Sequence, residues 1–138
     1  MKRILLVALM AVAAASCTKD KDPEPTPPST TNDAAGNWTI KVYDGLTLAS
    51  PAAGTLTMAG TSATAGTANI DVTFDGTNHN TEEDTYALTN SNANIAFTKT
   101  STGSFSVLSG GGTWVINTLN ATTLKMTSTN GLVIECTK

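Results

Sequence analysis

Charge is scarce in this chain. Asp, Glu, Lys and Arg make up 14% of its 138 residues, with eleven acidic side chains against eight basic ones. No basic patch is available to neutralise a phosphate backbone, so nucleic acid is excluded as a partner. Histidine occurs once, at His79, and cysteine twice, at Cys17 and Cys136. A structural zinc site normally wants more His and Cys than that. No apolar run reaches the roughly 20 residues that a membrane-spanning helix requires. Beyond the first sixteen residues no stretch keeps an i, i+3, i+4 apolar pattern for more than a turn, which argues against helices.

Catalytic patterns are missing as well. No Gly-x-Ser-x-Gly elbow is present. Ser/His/Asp chemistry would have to use His79, which lies in the hydrophilic stretch 76–84. That stretch also holds Glu82, Glu83 and Asp84, but its spacing is not that of a calcium loop. It reads as a solvated hairpin loop whose acids supply solubility. The glycine pairs are not followed by a helix that would cradle phosphate. The expectation is a protein that is not an enzyme, with no metal and no cofactor.

The distinctive features begin at the N-terminus. Lys2 and Arg3 precede an apolar run from Ile4 to Ala15, followed by Ser16 and Cys17. A basic start, a short apolar segment and small residues before a cut are the parts of an export signal. Ala14-Ala15-Ser16-Cys17 resembles the bacterial lipobox, with Ala14 where Leu is commonest. The resemblance implies cleavage after residue 16 and acylation of Cys17, with the membrane as a partner through a lipid anchor. Two or three acyl chains hold a protein stably at a membrane where one does not. Cleavage also removes Lys2 and Arg3, leaving six basic side chains against eleven acidic ones. Cys136 then has no partner within its chain, and its place in an apolar alternation makes it a buried thiol.

Residues 18–33 (TKDKDPEPTPPSTTND) contain no apolar side chain apart from proline. Such a segment cannot bury a core, and residues 17–33 are expected to be the lipidated cysteine and a disordered tether. The domain is expected to occupy residues 34–138.

Within it the period is two. Trp38, Ile40 and Val42 alternate with Thr39, Lys41 and Tyr43, and Asp44-Gly45 marks a turn. Leu56 and Met58 come next, then Ile70, Val72 and Phe74, then Tyr86 and Leu88, Ile95 and Phe97, and Phe105 and Val107. Trp114 and Ile116 face Leu124 and Met126, and Leu132, Ile134 and Cys136 end the series. Asn130-Gly131 is the strongest hairpin signal and predicts a type I′ turn. Eight or nine short strands with hairpin-length links make an all-β antiparallel meander. One face of each strand is apolar, so the sheet must close or stack. Short links favour a barrel of about eight strands over the alternative, a two-sheet sandwich, whose Greek-key crossings are longer.

Gly36-Asn37-Trp38-Thr39-Ile40 at the start, with Gly112-Thr113-Trp114-Val115-Ile116 and Thr123-Leu124-Lys125-Met126 near the end, resembles the lipocalin-like lipoprotein domains of Bacteroidetes. The resemblance covers about residues 36–137 and implies a small barrel that binds something, without catalytic residues. With the anchor, it implies attachment to the bacterial outer membrane, facing the periplasm or the cell surface. Two functions are compatible with it. One is a tethered domain binding a small apolar ligand, or a peptide or glycan, with Trp38 and Trp114 as ligand-facing walls. The alternative is a structural or interaction subunit of an envelope protein complex, without ligand.

Overall fold

The computed structural model describes residues 32–138. Residues 1–31, and with them Cys17, the apolar leader and most of the tether, lie outside the described residues.

The alternating segments form nine strands joined almost entirely by turns. They are β1 (Gly36–Tyr43), β2 (Leu46–Thr47), β3 (Ala53–Gly60), β4 (Ala65–Thr73) and β5 (His79–Thr89). Then come β6 (Asn94–Lys99), β7 (Thr113–Leu119), β8 (Thr123–Ser128) and β9 (Val133–Thr137), with one 3₁₀ turn at Ser109–Gly111. Each strand pairs antiparallel with the next, except that β2 is a short flap folded back on the end of β1, while the lower half of β1 pairs with β3. β1 also pairs with β9, Ile40 lying opposite Cys136. That pairing closes eight strands into an antiparallel barrel, the up-and-down meander of the lipocalin type. The sandwich is thereby excluded.

One set of side chains fills the cylinder. Trp38, Ile40, Leu56, Ile70, Val72, Ile95, Leu108, Trp114, Leu124, Met126, Ile134 and Cys136 are each at most 2% exposed. An eight-stranded barrel is just wide enough for side chains to fill its interior. The outward rows of β3, β4 and β5 carry Thr55, Thr57, Thr67, Asn69, Thr81 and Thr85, all exposed. Threonine suits that position because its branched carbon favours extended backbone and its hydroxyl is content in water.

Because successive connections alternate, the barrel has two unlike ends. The proximal end holds Asn32, Lys138 and the short turns 61–64, 90–93 and 120–122. Asn32 docks there, its Nδ2 donating to the Ser62 carbonyl at 3.0 Å. The distal end holds the flap and its following loop, 44–52, the turn 74–78, the long segment 100–112 and the turn 129–132.

Several local expectations are corrected. Lys41 is an extra residue in β1, since Ile40 pairs with Cys136 and Val42 with Glu135. A bulge of this kind reverses the facing of the residues beyond it. Tyr43 therefore packs on the core and Val42 does not. A second bulge at Asn117 turns Leu119 inward in the same way. β4 stops at Thr73, and Phe74 emerges 48% exposed, edge-on to Tyr43 with ring centroids 5.6 Å apart. Phe105 and Val107 belong to no strand; they pack on the core from the segment 100–112. The expected hairpin loop 76–84 is shorter, because β5 begins at His79.

The Asn130-Gly131 turn is not type I′. Of its two residues only Gly131 has positive φ, and Gly131 N–H donates to Ser128 O while Ser128 N–H donates to Leu132 O. That is a three-residue loop, a type I turn followed by a glycine bulge. Two successive positive φ angles occur instead at Asp44 and Gly45, between the paired residues Tyr43 and Leu46.

Candidate functional site

The inward row of β5 runs Leu88, Tyr86, Asp84, Glu82 toward the distal end, all of them buried. Glu82 and Asp84 are not the solubilising charge that the sequence suggests; they are 0% and 2% exposed. Parity alone carries them inside. The alternation that buries Tyr86 and Leu88 continues backward through even-numbered positions, while His79, Thr81, Glu83 and Thr85 face out.

Glu82 is satisfied by the segment that crosses above it. Its Oε2 accepts the N–H groups of Val107 and Leu108, the latter at 2.9 Å. Its Oε1 accepts the Ser109 N–H at 3.0 Å and the Ser109 hydroxyl at 2.6 Å. Burial by itself would push this carboxyl up. The donors from Ser109, Leu108 and Val107 more than offset it and hold the group below its ordinary value, ionised.

Asp84 sits one step deeper and has no such help. Both its oxygens are sealed from solvent and neither accepts a hydrogen bond. Burial, then the neighbouring Glu82 charge and a side-chain hydrogen-bond interaction with Glu82, raise it to about 7, against a smaller lowering by Lys99. The Lys99 ammonium is directed elsewhere, donating to the carbonyls of Gly103 and Phe105, the latter at 2.6 Å. One carboxylate is thus ionised by backbone donors, and its neighbour stays neutral into the physiological range.

The two tryptophans lie in the interior near opposite ends. Trp38 is 1% exposed and donates its indole N–H to the Ala34 carbonyl at 2.9 Å, with the Lys138 ammonium 4.0 Å from its ring centroid. Trp114 is 0% exposed and donates to the Leu108 carbonyl at 2.8 Å. Each therefore fastens a length of chain across one mouth of the barrel. Gly111 makes the distal seat possible, because a Cβ there would stand 2.6–2.8 Å from the Trp114 ring.

His79 opens β5 on the outer face, its Nδ1 2.8 Å from an Asp71 carboxylate oxygen. No group of three His, Cys, Asp or Glu able to hold a metal occurs among the described residues. Cys136 is a free, fully buried thiol, and burial raises it to about 12, far from nucleophilic. One surface concavity of about 290 Å³ lies along the Thr-rich outer face of β3, β4 and β5, lined by Thr67, Glu83 and Asp84 among others. The other, about 490 Å³, lies at the proximal end between Asn32, Leu119 and Lys138.

The exposed large apolar side chains include Leu46, Phe74 and Val115. Two of these share the distal end: Leu46 pairs with Tyr43 across the flap, and Phe74 meets the same Tyr43 ring.

The class is therefore a small closed β-barrel domain of lipocalin-like fold. Comparison with protein-family models, with curated proteins and with solved structures finds no match to this chain.

Proposed function

We propose that this chain is a lipid-anchored interaction domain of the bacterial envelope, which binds a partner protein through the distal end of its barrel. Cys17 carries the lipid, the residues after it form the spacer, and the apolar tip formed by Leu46, Phe74 and Tyr43 is the contact surface. The observation that carries the reading is a contrast. Bulky side chains crowd the barrel interior, while large apolar groups stand in water at the tips of two neighbouring loops. Apolar loop tips on a rigid scaffold are a usual form of recognition surface. The place of Asn32 supports the reading: it lies on the proximal end, so a tether joined there leaves the distal loops at the far end of the barrel from its attachment.

The test is site-directed photo-crosslinking of the anchored protein in its own membranes. A crosslinker at position 46 or 74 should give one discrete adduct, and the adduct from position 46 should be lost in Phe74→Ser. Placed at 91 or 121 on the proximal turns, it should give none. Equal labelling from both ends would overturn the reading.

A second reading, binding of a small apolar ligand inside the barrel, is favoured by the segment 100–112. It covers the distal mouth without strand pairing, and its Leu108 is inserted into the core. Trp114, beneath it, would be the ligand-facing wall at that end, and Trp38 at the other. Native mass spectrometry of protein purified without its anchor separates the two readings, since a carried ligand supports only the second.

A further inference from the structure

We propose that residues 103–112 form a proton-operated latch over the distal mouth, closed while Asp84 is protonated and released when Asp84 ionises.

The latch is held at its carbonyls by Trp114, Lys99, Thr129 and Asn130, and its densest fastening is at Glu82. Three successive N–H groups and one hydroxyl, from Val107, Leu108 and Ser109, converge on Glu82, two donors to each oxygen. A carboxylate offers about four lone-pair positions, and the segment supplies a donor for each. Asp84, on the same face of the same strand, has both oxygens buried and without a donor. The groups around it offer no remedy. From β6 comes Lys99, committed to two carbonyls of the segment itself. From β4 come Ala68 and Ile70, which are apolar and buried. On β5 itself the next inward residue is Tyr86, a phenol raised by burial, and the Tyr43 phenol of β1, raised by burial and then by the charges of Asp44 and Glu82, answers to Glu82. Residues 100–112 contain no titratable side chain.

A dry carboxyl beside an ionised carboxylate is stable only when neutral, because an unpaired buried charge costs far more than a buried acid. Ionising Asp84 puts a second negative charge against Glu82 with no donor for either of its oxygens. The least costly relief is to let water in, and the segment above is the part of the wall with no strand pairing of its own. β6 has strand partners on β7 only at Asn94, Ile95 and Ala96, so its upper half has no strand there to hold it.

The sign comes from linkage. The closed form keeps the Asp84 proton to about pH 7, whereas the open, hydrated form releases it near the ordinary Asp value of about 3.9. Between these values the open fraction rises roughly tenfold per pH unit, and it levels off above. Glu82 acts oppositely: its depressed value means that strong acid removes the acceptor and also loosens the latch. The latch is tightest in mild acid.

Amide hydrogen exchange tests this. Protection of the Leu108 and Ser109 amides, corrected for intrinsic rates, should fall roughly 50-fold from about pH 5 to about pH 7. Amides in the β4–β5 ladder should not follow. In Asp84→Asn the fall should vanish. Equal wild-type protection at both pH values, or the same fall in the variant, would overturn the proposal. Should Asp84→Asn not fold, carbon NMR of the wild-type Asp84 carboxyl decides. A midpoint near neutrality that tracks the loss of protection supports the latch, and one in the ordinary carboxylate range refutes it.

Discussion

Trp114 gives its indole N–H to the Leu108 carbonyl at 2.8 Å, while the N–H of Leu108 goes to Glu82 at 2.9 Å. One residue is thus held from both of its backbone polar groups, with its side chain fully buried between. Trp114→Phe keeps most of the ring and deletes only the donor, leaving the Leu108 carbonyl without this partner. A loss of about 1–2 kcal/mol is expected from denaturant unfolding.

Glu82→Gln should cost more. The amide keeps one oxygen and replaces the other with a donor, so at least one of the three buried N–H groups faces a nitrogen that cannot accept it. A loss of roughly 2–4 kcal/mol is expected in urea unfolding, with far-ultraviolet circular dichroism still showing a β-sheet protein. An unchanged midpoint would mean that the segment is held by other contacts.

The acid pair gives global stability an unusual pH dependence. The native protein holds the Asp84 proton to about pH 7, and the unfolded chain loses it near 3.9. Between those values the native state binds more protons, so this group lowers stability as pH rises, by up to roughly 1.4 kcal/mol per unit. Urea midpoints should decline from about pH 5 to about pH 7 and then flatten. Glu82, depressed in the native state, contributes stability that is lost as pH falls below the ordinary carboxylate range. Asp84→Asn should remove the decline between pH 5 and pH 7 and leave the acid limb.

Cys136 lies opposite Ile40 on one side and Leu124 on the other. A thiol reagent should label it slowly in the native domain and rapidly in denaturant. Fast native labelling would mean that β9 is displaced by one residue, because such a slip exchanges inner and outer faces.

The anchor has its own test. Cys17→Ser should move the protein from the membrane fraction to the soluble one. Continued membrane association would remove the lipid from the proposed function.

The barrel is legible in the sequence because eight segments repeat one two-residue rhythm, and closure is the simplest way to bury eight apolar faces at once. Reading fails where that rhythm shifts or continues silently. The bulges at Lys41 and Asn117 change parity by one residue, and nothing in Lys41-Val42-Tyr43 announces it. Phe105 and Val107 have strand spacing, yet two residues among Ser and Gly are too few to separate a strand from a plug. The acid pair escapes notice for a different reason. Carboxylates are almost never fully buried unless paired, which assigns Glu82 and Asp84 to solvent, although the parity of Tyr86 and Leu88 already points them inward. The donors to Glu82 lie 25 to 27 residues away on a segment with no repeat of its own.

The wall of this cylinder is stitched unevenly. β4 and β5 are matched at nine positions and β3 and β4 at eight, whereas β6 and β7 are matched at three. A tube with one long weld and one short one does not flex uniformly under thermal agitation. It has a stiff back, made of β3, β4 and β5, and a seam between β6 and β7, one strand beyond it, that parts first. Glu82 belongs to the stiff back, and the residues it grips span the seam. A single side chain thereby acts as a clasp between the most rigid part of the molecule and its most compliant one.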